Sequence, residues 1–149
     1  MLKKFLIASA AGLLLAACQQ QPQMASPPPT QVKQLYVVYF NTGQSDLSPD
    51  AQATIAQAAA TFKQGGVAVA VKGHADRVGD QGANLRLSLA RTAAAKALLM
   101  RDGVPESAIR SGSLGEENLP VPTADMVPER LNRSVHITVT GRPLMSDKD

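Results

Sequence analysis

The sequence predicts a two-layer α/β sandwich with the element order β-α-β-α-β-loop-β. Three observations support that fold class. Apolar runs rich in Val alternate along the chain with segments whose apolar residues recur at helical spacing. Pro and Gly stand where helices should begin and end. Residues 35–141 provide about 107 residues, enough for one domain with a single core.

The first strand and the first helix follow from local composition. Residues 35–40 are apolar and rich in Val and Tyr, as expected of a buried strand. Ser48-Pro49-Asp50 supplies a helix N-cap, a proline at the first helical position and an acid in the first turn. Gly65-Gly66 ends this helix. Its apolar residues at helical spacing are Ala51, Ile55, Ala58, Ala59 and Phe62.

A second strand and a longer helix come next. Val alternates with Ala over residues 67–71, which predicts a strand with small side chains on one face. A polar loop with glycines spans residues 73–82. The longest helix covers residues 83–102 and ends at Gly103-Val104-Pro105. A stripe of apolar residues runs along it: Leu85, Leu89, Ala93, Ala97 and Met100.

The last two strands differ in strength of pattern. Residues 109–114 form a short candidate strand. Residues 134–140 alternate strictly, with Val135, Ile137 and Val139 set against His136 and Thr138. Aromatic residues make up only 3% of the chain, so the core is predicted to consist of Val, Leu, Ile and Ala.

The N-terminal segment resembles a bacterial lipoprotein signal. Lys3 and Lys4 form a positive start, and residues 5–15 are an apolar run too short to cross a bilayer. The string Leu-Ala-Ala-Cys that ends at Cys18 resembles the lipobox, whose cysteine accepts diacylglycerol. Residues 1–17 are therefore expected to be removed and Cys18 to be lipidated. Gln19, where Asp would favour inner-membrane retention, implies the periplasmic face of the outer membrane. An ordinary secretory signal with an incidental cysteine is the alternative.

A flexible linker separates the anchor from the domain. Residues 18–34 join Cys18 to a Gln/Pro/Ser-rich stretch without apolar periodicity. Its sixteen residues after Cys18 would reach about 50 Å if extended at roughly 3.1 Å per residue. A polar tail is expected over residues 142–149.

Charge and cysteine content exclude some classes of function. Removal of residues 1–17 would leave 13 Lys and Arg against 12 Asp and Glu. This near-neutral balance argues against nucleic acid as a partner. Cys18 is the sole cysteine, so no intramolecular disulfide can form.

Asp76 and Arg91 are the strongest candidate for a binding site. Asp76 comes just after the second strand, and Arg91 lies two turns into the following helix. Such positions can bring the two side chains to opposite sides of a crevice at the strand ends. A carboxylate and a guanidinium with space between them suit a zwitterion, whose ammonium and carboxylate they would bind. A plain Asp–Arg salt bridge is the alternative.

Separated motifs identify a family. Residues 73–76 (Gly-His-Ala-Asp), Gly79 and residues 84–91 resemble the OmpA-like C-terminal domain family, in the form carried by peptidoglycan-associated lipoproteins. The resemblance covers nearly all of residues 35–141. It continues, in the family's order, through residues 39–41, 47–48, 103–105, 113–116, Pro120 and 132–135. It implies a mixed sheet with both helices on one face.

The resemblance also implies a function and residues for it. The family binds peptidoglycan non-covalently through meso-diaminopimelate of the stem peptide. Asp76 would then bind the diaminopimelate amine, Arg91 its carboxylate, and Asn84 would shape the crevice. Residues expected to line or support the site are Phe40, Asn41 and Arg133. The implied protein is a non-enzymatic outer-membrane lipoprotein that tethers the membrane to the wall without a cofactor, and trans-envelope protein partners are open to it.

Two positions depart from the family pattern. Ala75 stands where Thr is usual, and Ser134 replaces the second Arg of an Asn-Arg-Arg string. Each loss would weaken the site by roughly 0.5–1.5 kcal/mol if the missing group bonded the ligand. Binding is expected to survive, since Asp76 and Arg91 are both kept.

Other classes of function find less support. Residues 73–82 lack the glycine patterns of nucleotide-binding loops. Asp76 and Asp80 supply too few oxygen ligands for a divalent cation, and His74 and His136 have no partners at zinc spacing. No nucleophile motif supports a peptidoglycan hydrolase. The remaining alternative is the same fold used as a protein-interaction or adhesion module without wall binding.

Overall fold

The protein folds as one four-stranded sheet covered by two helices. The computed structural model describes residues 31–142. The strands are β1 (Val32–Tyr39), β2 (Gly66–Gly73), β3 (Ile109–Ser113) and β4 (Ser134–Gly141), and the helices are α1 (Pro49–Lys63) and α2 (Gln81–Arg101). Single 3-10 turns occupy Glu106–Ala108 and Arg130–Asn132. The predicted element order is confirmed.

The sheet is mixed, with strand order β1-β4-β2-β3. β4 runs antiparallel to both β1 and β2, whereas β2 and β3 are parallel and joined through α2. This order places the ends of β2 and β4 side by side at the centre of the sheet, and the loops that follow β2 and precede β4 meet there.

Side-chain caps fix where each helix begins. Ser48 Oγ accepts a 3.2 Å hydrogen bond from the Ala51 amide at the start of α1. Asp80 Oδ1 accepts a 2.9 Å bond from the Ala83 amide, so α2 begins at Gln81, two residues before the predicted start. Past the end of α2, Gly103 has φ +96°, the left-handed conformation that glycine adopts readily.

The core lies between the sheet and the two helices. Alternate residues of the three central strands and one face of each helix pack there, almost all of them aliphatic. The fully buried aliphatic side chains are Ile55, Val69, Val71, Leu99, Ile137 and Val135. Small residues such as Ala58 and Ala59 let α1 approach the sheet closely.

β1 begins three residues earlier than the sequence pattern indicates. Residues 32–34 were expected to belong to the linker, yet they pair with Gly141, Thr140 and Val139 of β4. Their side chains are exposed, and backbone pairing does not require apolar side chains, so composition gave no sign of the strand. The expected signal over residues 1–17, the lipidation site Cys18, the linker before Gln31 and the tail after Arg142 lie outside the described residues.

The apolar stripe of α2 does not face the core. Leu85, Leu89 and Met100 are 45%, 50% and 40% exposed. The helix instead buries a partly polar face, because carbonyl and hydroxyl groups of the neighbouring strand ends and loops provide hydrogen-bond partners for it. That face consists of Asn84, Ser88, Arg91, Thr92, Ala95, Leu98 and Leu99. Across residues 31–142, neither helix has the length and apolar character that crossing a bilayer requires.

Candidate functional site

Asp76 lies three residues beyond β2 and forms an ion pair with Arg133, which directly precedes β4. Arg133 Nη1 donates a 2.9 Å hydrogen bond to Asp76 Oδ2. The two side chains are 14% (Arg133) and 7% (Asp76) exposed, so the pair is accessible only at its edge. A charge-assisted bond of this kind fixes both groups at the centre of the site.

Backbone hydrogen bonds hold the segment that carries Asp76. The His74 amide donates to the Ser134 carbonyl at 2.8 Å, and the Ala75 amide donates to the Gly115 carbonyl at 2.7 Å. These bonds extend the sheet pairing for two residues past the end of β2, in both directions. Asp76 is therefore presented from a rigid backbone and not from a loose loop.

Arg91 is buried behind this ion pair. Its guanidinium donates to three backbone carbonyls: Nε to Gln44 (2.9 Å), Nη1 to His74 (3.0 Å) and Nη2 to Asn41 (3.1 Å). The ring of Phe40 lies 5.1 Å from its central carbon, within cation–π range. Arg91 has no exposed surface. It joins α2 to the segment after β1 and to the end of β2.

Burial lowers the pKa of Arg91 to about 10, while the negative charge of Asp76 opposes that shift and Arg133 adds to it. Arg91 therefore stays protonated at neutral pH. The site contains two guanidinium groups around one carboxylate, which leaves an excess of positive charge.

The structure places the predicted charged residues in one site but not in one contact. Asp76 pairs with Arg133, and Arg91 donates to backbone carbonyls, so the plain Asp76–Arg91 salt bridge is not among the ion pairs of residues 31–142. Phe40 and Asn41 both contact Arg91, and the Phe40 carbonyl also accepts from Arg133 Nε at 3.2 Å. The sequence placed Arg133 beside the last strand, but gave no sign that it is the partner of Asp76.

Asn84 links two loops at the start of α2. Its Nδ2 donates to the Val78 carbonyl at 3.2 Å and to Glu116 Oε2 at 2.8 Å. Asn84 is buried, and Glu116 is half-buried. Glu116, which we expected to be a solvated loop charge, therefore helps Asn84 to connect the loop after β2 with the loop after β3.

The two departures from the family pattern both lie in buried positions. Ala75 is fully buried, between the amide bond to Gly115 and the Asp76 backbone. Ser134 is also fully buried, and its hydroxyl donates to the Leu131 carbonyl at 2.9 Å. Ser134 thus closes the turn before β4, which carries Arg133.

Asn132 and Arg77 fix the long loop between β3 and β4. Asn132 Nδ2 donates to the Val121 carbonyl at 2.7 Å, and its Oδ1 accepts from the Val121 amide at 2.9 Å. Arg77 pairs with Asp125 at 2.7 Å, and its carbonyl accepts from the Met126 amide. The loop is held against the segment that carries Asp76.

Two histidines lie next to the site. The ring centroids of His74 and His136 are 5.3 Å apart in an edge-on arrangement. Burial lowers the pKa of both rings, and for His74 the nearby His136 and Lys72 lower it further. His74 Nδ1 is buried and has no hydrogen-bond partner in the described part of the chain. No group of three His, Cys, Asp or Glu in that same part could hold a metal ion.

A family model described as the OmpA family matches residues 39–142, more than half of the chain. The chain belongs to the OmpA family. The match begins in β1 and ends just after β4, so it contains every residue of the site described above.

Relatives and solved structures agree with this assignment. The chain is 38% identical over 91 residues to the "Peptidoglycan-associated lipoprotein" of Mesorhizobium japonicum, covering 59% of this chain and 52% of the relative. It is 37% identical over 109 residues to an "Outer membrane protein" of Gluconacetobacter diazotrophicus, covering 68% of this chain and 29% of that protein. The chain thus spans about half, or less, of the length of these curated relatives.

The fold itself matches solved OmpA-like structures. The OmpA-like domain of FopA1 from Francisella tularensis superposes with a TM-score of 0.68 at 18% identity, covering 78% of each chain. The peptidoglycan-associated lipoprotein from Burkholderia pseudomallei superposes with a TM-score of 0.59 at 25% identity, covering 70% of this chain and 89% of that one. The predicted two-layer architecture is therefore confirmed as OmpA-like.

Proposed function

We propose that this OmpA-family chain binds peptidoglycan non-covalently, and that a lipid on Cys18 tethers it to the outer membrane from the periplasmic side. The chain would thereby connect membrane and wall as a structural protein without a catalytic step or a cofactor. Its relatives named peptidoglycan-associated lipoprotein support this direction, as does the lipobox-like string that ends at Cys18.

The single observation that carries the proposal is the buried carboxylate of Asp76 in a site with two guanidinium groups. A group with a free ammonium beside a free carboxylate complements such a site, because each of its charges meets the opposite one. Diaminopimelate of an uncrosslinked stem peptide carries that arrangement. Asp76 is proposed to bind the amine, and Arg91, as the resemblance implies, belongs to the cationic half of the site.

The supporting residues keep the site in shape. Asn84 holds the loop after β2 through Val78 and Glu116, while Phe40 and Asn41 contact Arg91 from the end of β1. A preorganised site loses less free energy when a ligand orders it. We propose that these three residues act on the wall ligand through the positions of the charged groups.

The affinity for one free stem peptide is expected to be modest. Two charge-assisted contacts contribute about 1.5–3 kcal/mol each, and the cost of association offsets part of that gain. Micromolar or weaker binding follows. A lipid anchor would confine the domain near a wall that repeats the ligand many times, and that effective concentration would keep it attached.

Co-sedimentation with purified sacculi tests the proposal. The mature protein should pellet with diaminopimelate-type sacculi, and Asp76→Asn should remain in the supernatant because the amine loses its counter-charge. Asp50→Asn is the matched control, since Asp50 is an exposed residue in the first turn of α1, on a different part of the chain. It should pellet like the wild type.

Each other outcome points elsewhere. If folded Asp76→Asn pellets as well as the wild type, this fold serves as a protein-interaction or adhesion module and the wall-binding site is wrong. Release of soluble muropeptides by the wild-type protein would indicate a hydrolase.

A fractionation experiment tests the anchor separately. Cys18→Ser removes the thiol that would accept diacylglycerol, so the protein should leave the outer-membrane fraction while its soluble form still pellets with sacculi. Retention of Cys18→Ser in washed, wall-free membranes would contradict the lipid anchor and leave the wall-binding proposal intact.

A further inference from the structure

We propose that Arg133 receives the carboxylate of the bound amino acid, and that Arg91 is a positioning residue which holds the site together from behind. This inference deepens the proposed function and rests on it, since it concerns the ligand whose amine Asp76 would bind. It assigns different roles to two arginines that lie around the same carboxylate.

The burial of Arg91 carries the first step. Its side chain has no exposed surface, and its Nε, Nη1 and Nη2 all donate to backbone carbonyls of the protein. A ligand carboxylate could reach this guanidinium only if the segment that supplies the Asn41 and Gln44 carbonyls moved away. That movement would leave both carbonyls without their donor.

Arg133 is oriented differently. It lies at the edge of the site, where its side chain is 14% exposed, twice the exposed fraction of the Asp76 side chain. Nε donates to the Phe40 carbonyl and Nη1 to Asp76, so the guanidinium plane is fixed from two directions. A guanidinium has five N–H donors. The two bonds use two of them, which leaves donor capacity for an incoming anion.

The geometry of the ligand fits this pair. In a free α-amino acid end, the ammonium and the carboxylate share one carbon, so the two groups are neighbours. They suit an acceptor and a donor that are also neighbours, and Asp76 and Arg133 are 2.9 Å apart. The four charges would alternate in sign around a ring, with every contact attractive. Arg91, on the far side of the Asn41, Gln44 and His74 carbonyls, would stabilise Asp76 by its charge.

Amidation of the ligand separates the two arginines. The probe is a disaccharide-tripeptide with meso-diaminopimelate, compared with the same muropeptide in which the free carboxylate beside the free amine is an amide. Calorimetric titration of the mature wild-type protein should show at least a tenfold weaker binding of the amidated form. Arg133→Gln should bind the free acid at least tenfold more weakly than the wild type does, with no further loss on amidation.

Arg91→Lys provides the comparison, because it keeps the positive charge and changes the contacts with the carbonyls. In its folded fraction, the tenfold effect of amidation should persist. If the effect persists instead in Arg133→Gln and disappears in Arg91→Lys, Arg91 contacts the carboxylate and the inference is wrong.

A measurement on the wild type avoids any dependence on folding of the variants. The ¹⁵Nε signal of Arg133 should shift on addition of the free acid and respond much less to the amide, whereas the Arg91 signal should move little with either. Equal affinity for both muropeptides would overturn the assignment of Arg133 while leaving wall binding in place. Binding of neither would instead contradict the proposed function.

Discussion

Gly73, the last residue of β2, lies directly against Thr92 of α2. A methyl group on Gly73 would come within 2.2 Å of Thr92 Oγ1 and 2.5 Å of the Ser88 carbonyl oxygen. Helix and strand therefore approach so closely here that no side chain fits between them. This contact fixes the distance between α2, which carries Arg91, and the segment that carries Asp76.

Gly73→Ala is expected to destabilise the domain by about 1–3 kcal/mol, because the new methyl must displace backbone as well as a side chain. The free energy of unfolding in urea measures the effect. Gly112→Ala is the matched control: Gly112 lies beside Lys72 on β3, and nothing stands within 4 Å of an added methyl. It should change the free energy by less than about 0.5 kcal/mol. Equal losses in both variants would contradict the close contact at Gly73.

The order of strands and helices follows from periodicity and caps, but the orientation of α2 does not. Its Leu and Met residues at positions 85, 89 and 100 are largely exposed, while Ser88, Arg91 and Thr92 face inward. Hydrophobic patterning assumes that apolar side chains are buried. Here, carbonyl and hydroxyl partners from the sheet end and the loops satisfy the polar groups, and single-sequence patterning contains no information on such distant partners.

That inverted orientation predicts opposite results for two leucines of α2. Leu99 is fully buried in the core, so Leu99→Ala should cost about 2–5 kcal/mol through lost burial and a cavity. Leu89 is half exposed, so Leu89→Ala should cost less than about 1 kcal/mol. Thermal and urea unfolding of both variants provide the measurement. A larger loss at Leu89 would mean that the apolar stripe is the buried face.

The site was predictable in its members and not in its contacts. Asp76 and Arg91 stand out in the sequence, whereas the pairing of Asp76 with Arg133 joins residues 57 positions apart. Such a contact depends on β2 and β4 being neighbours in the sheet, which the resemblance implied only as a mixed sheet. The burial of Arg91 likewise depends on carbonyls that any residue type could supply.

Arg91→Lys is expected to destabilise the domain although it preserves the charge. An ammonium cannot reach three carbonyls arranged around a planar guanidinium, so at least one is left without a donor at a cost of about 1–3 kcal/mol. Arg101→Lys, in the exposed last turn of the same helix, should be nearly neutral. Unfolding curves of the two variants at neutral pH decide this, and equal stability of Arg91→Lys and the wild type would contradict the buried role.

The histidine pair predicts how stability depends on pH. Burial lowers the pKa of both His74 and His136 below the ordinary value of 6.5, so the unfolded chain binds protons more readily than the folded domain. The contribution of the neutral rings is fully present above pH 6.5. It is lost as the pH falls below that value, since protonation then favours the unfolded state.

His136→Gln should make that loss smaller. It removes one titrating ring and also the positive charge that, together with Lys72, lowers the pKa of His74. Urea unfolding at pH 7.5, 6.5 and 5.5 should therefore give a shallower fall in the free energy of unfolding than the wild type shows. Glu106→Gln is the control: a hydrogen bond from Lys96 lowers the pKa of Glu106 from 4.5, so its titration lies below this pH range and its slope should match the wild type. If His136→Gln and the wild type fall in parallel, the ring pair does not govern acid stability, because a coupled pair cannot lose one member without changing the number of protons taken up on unfolding.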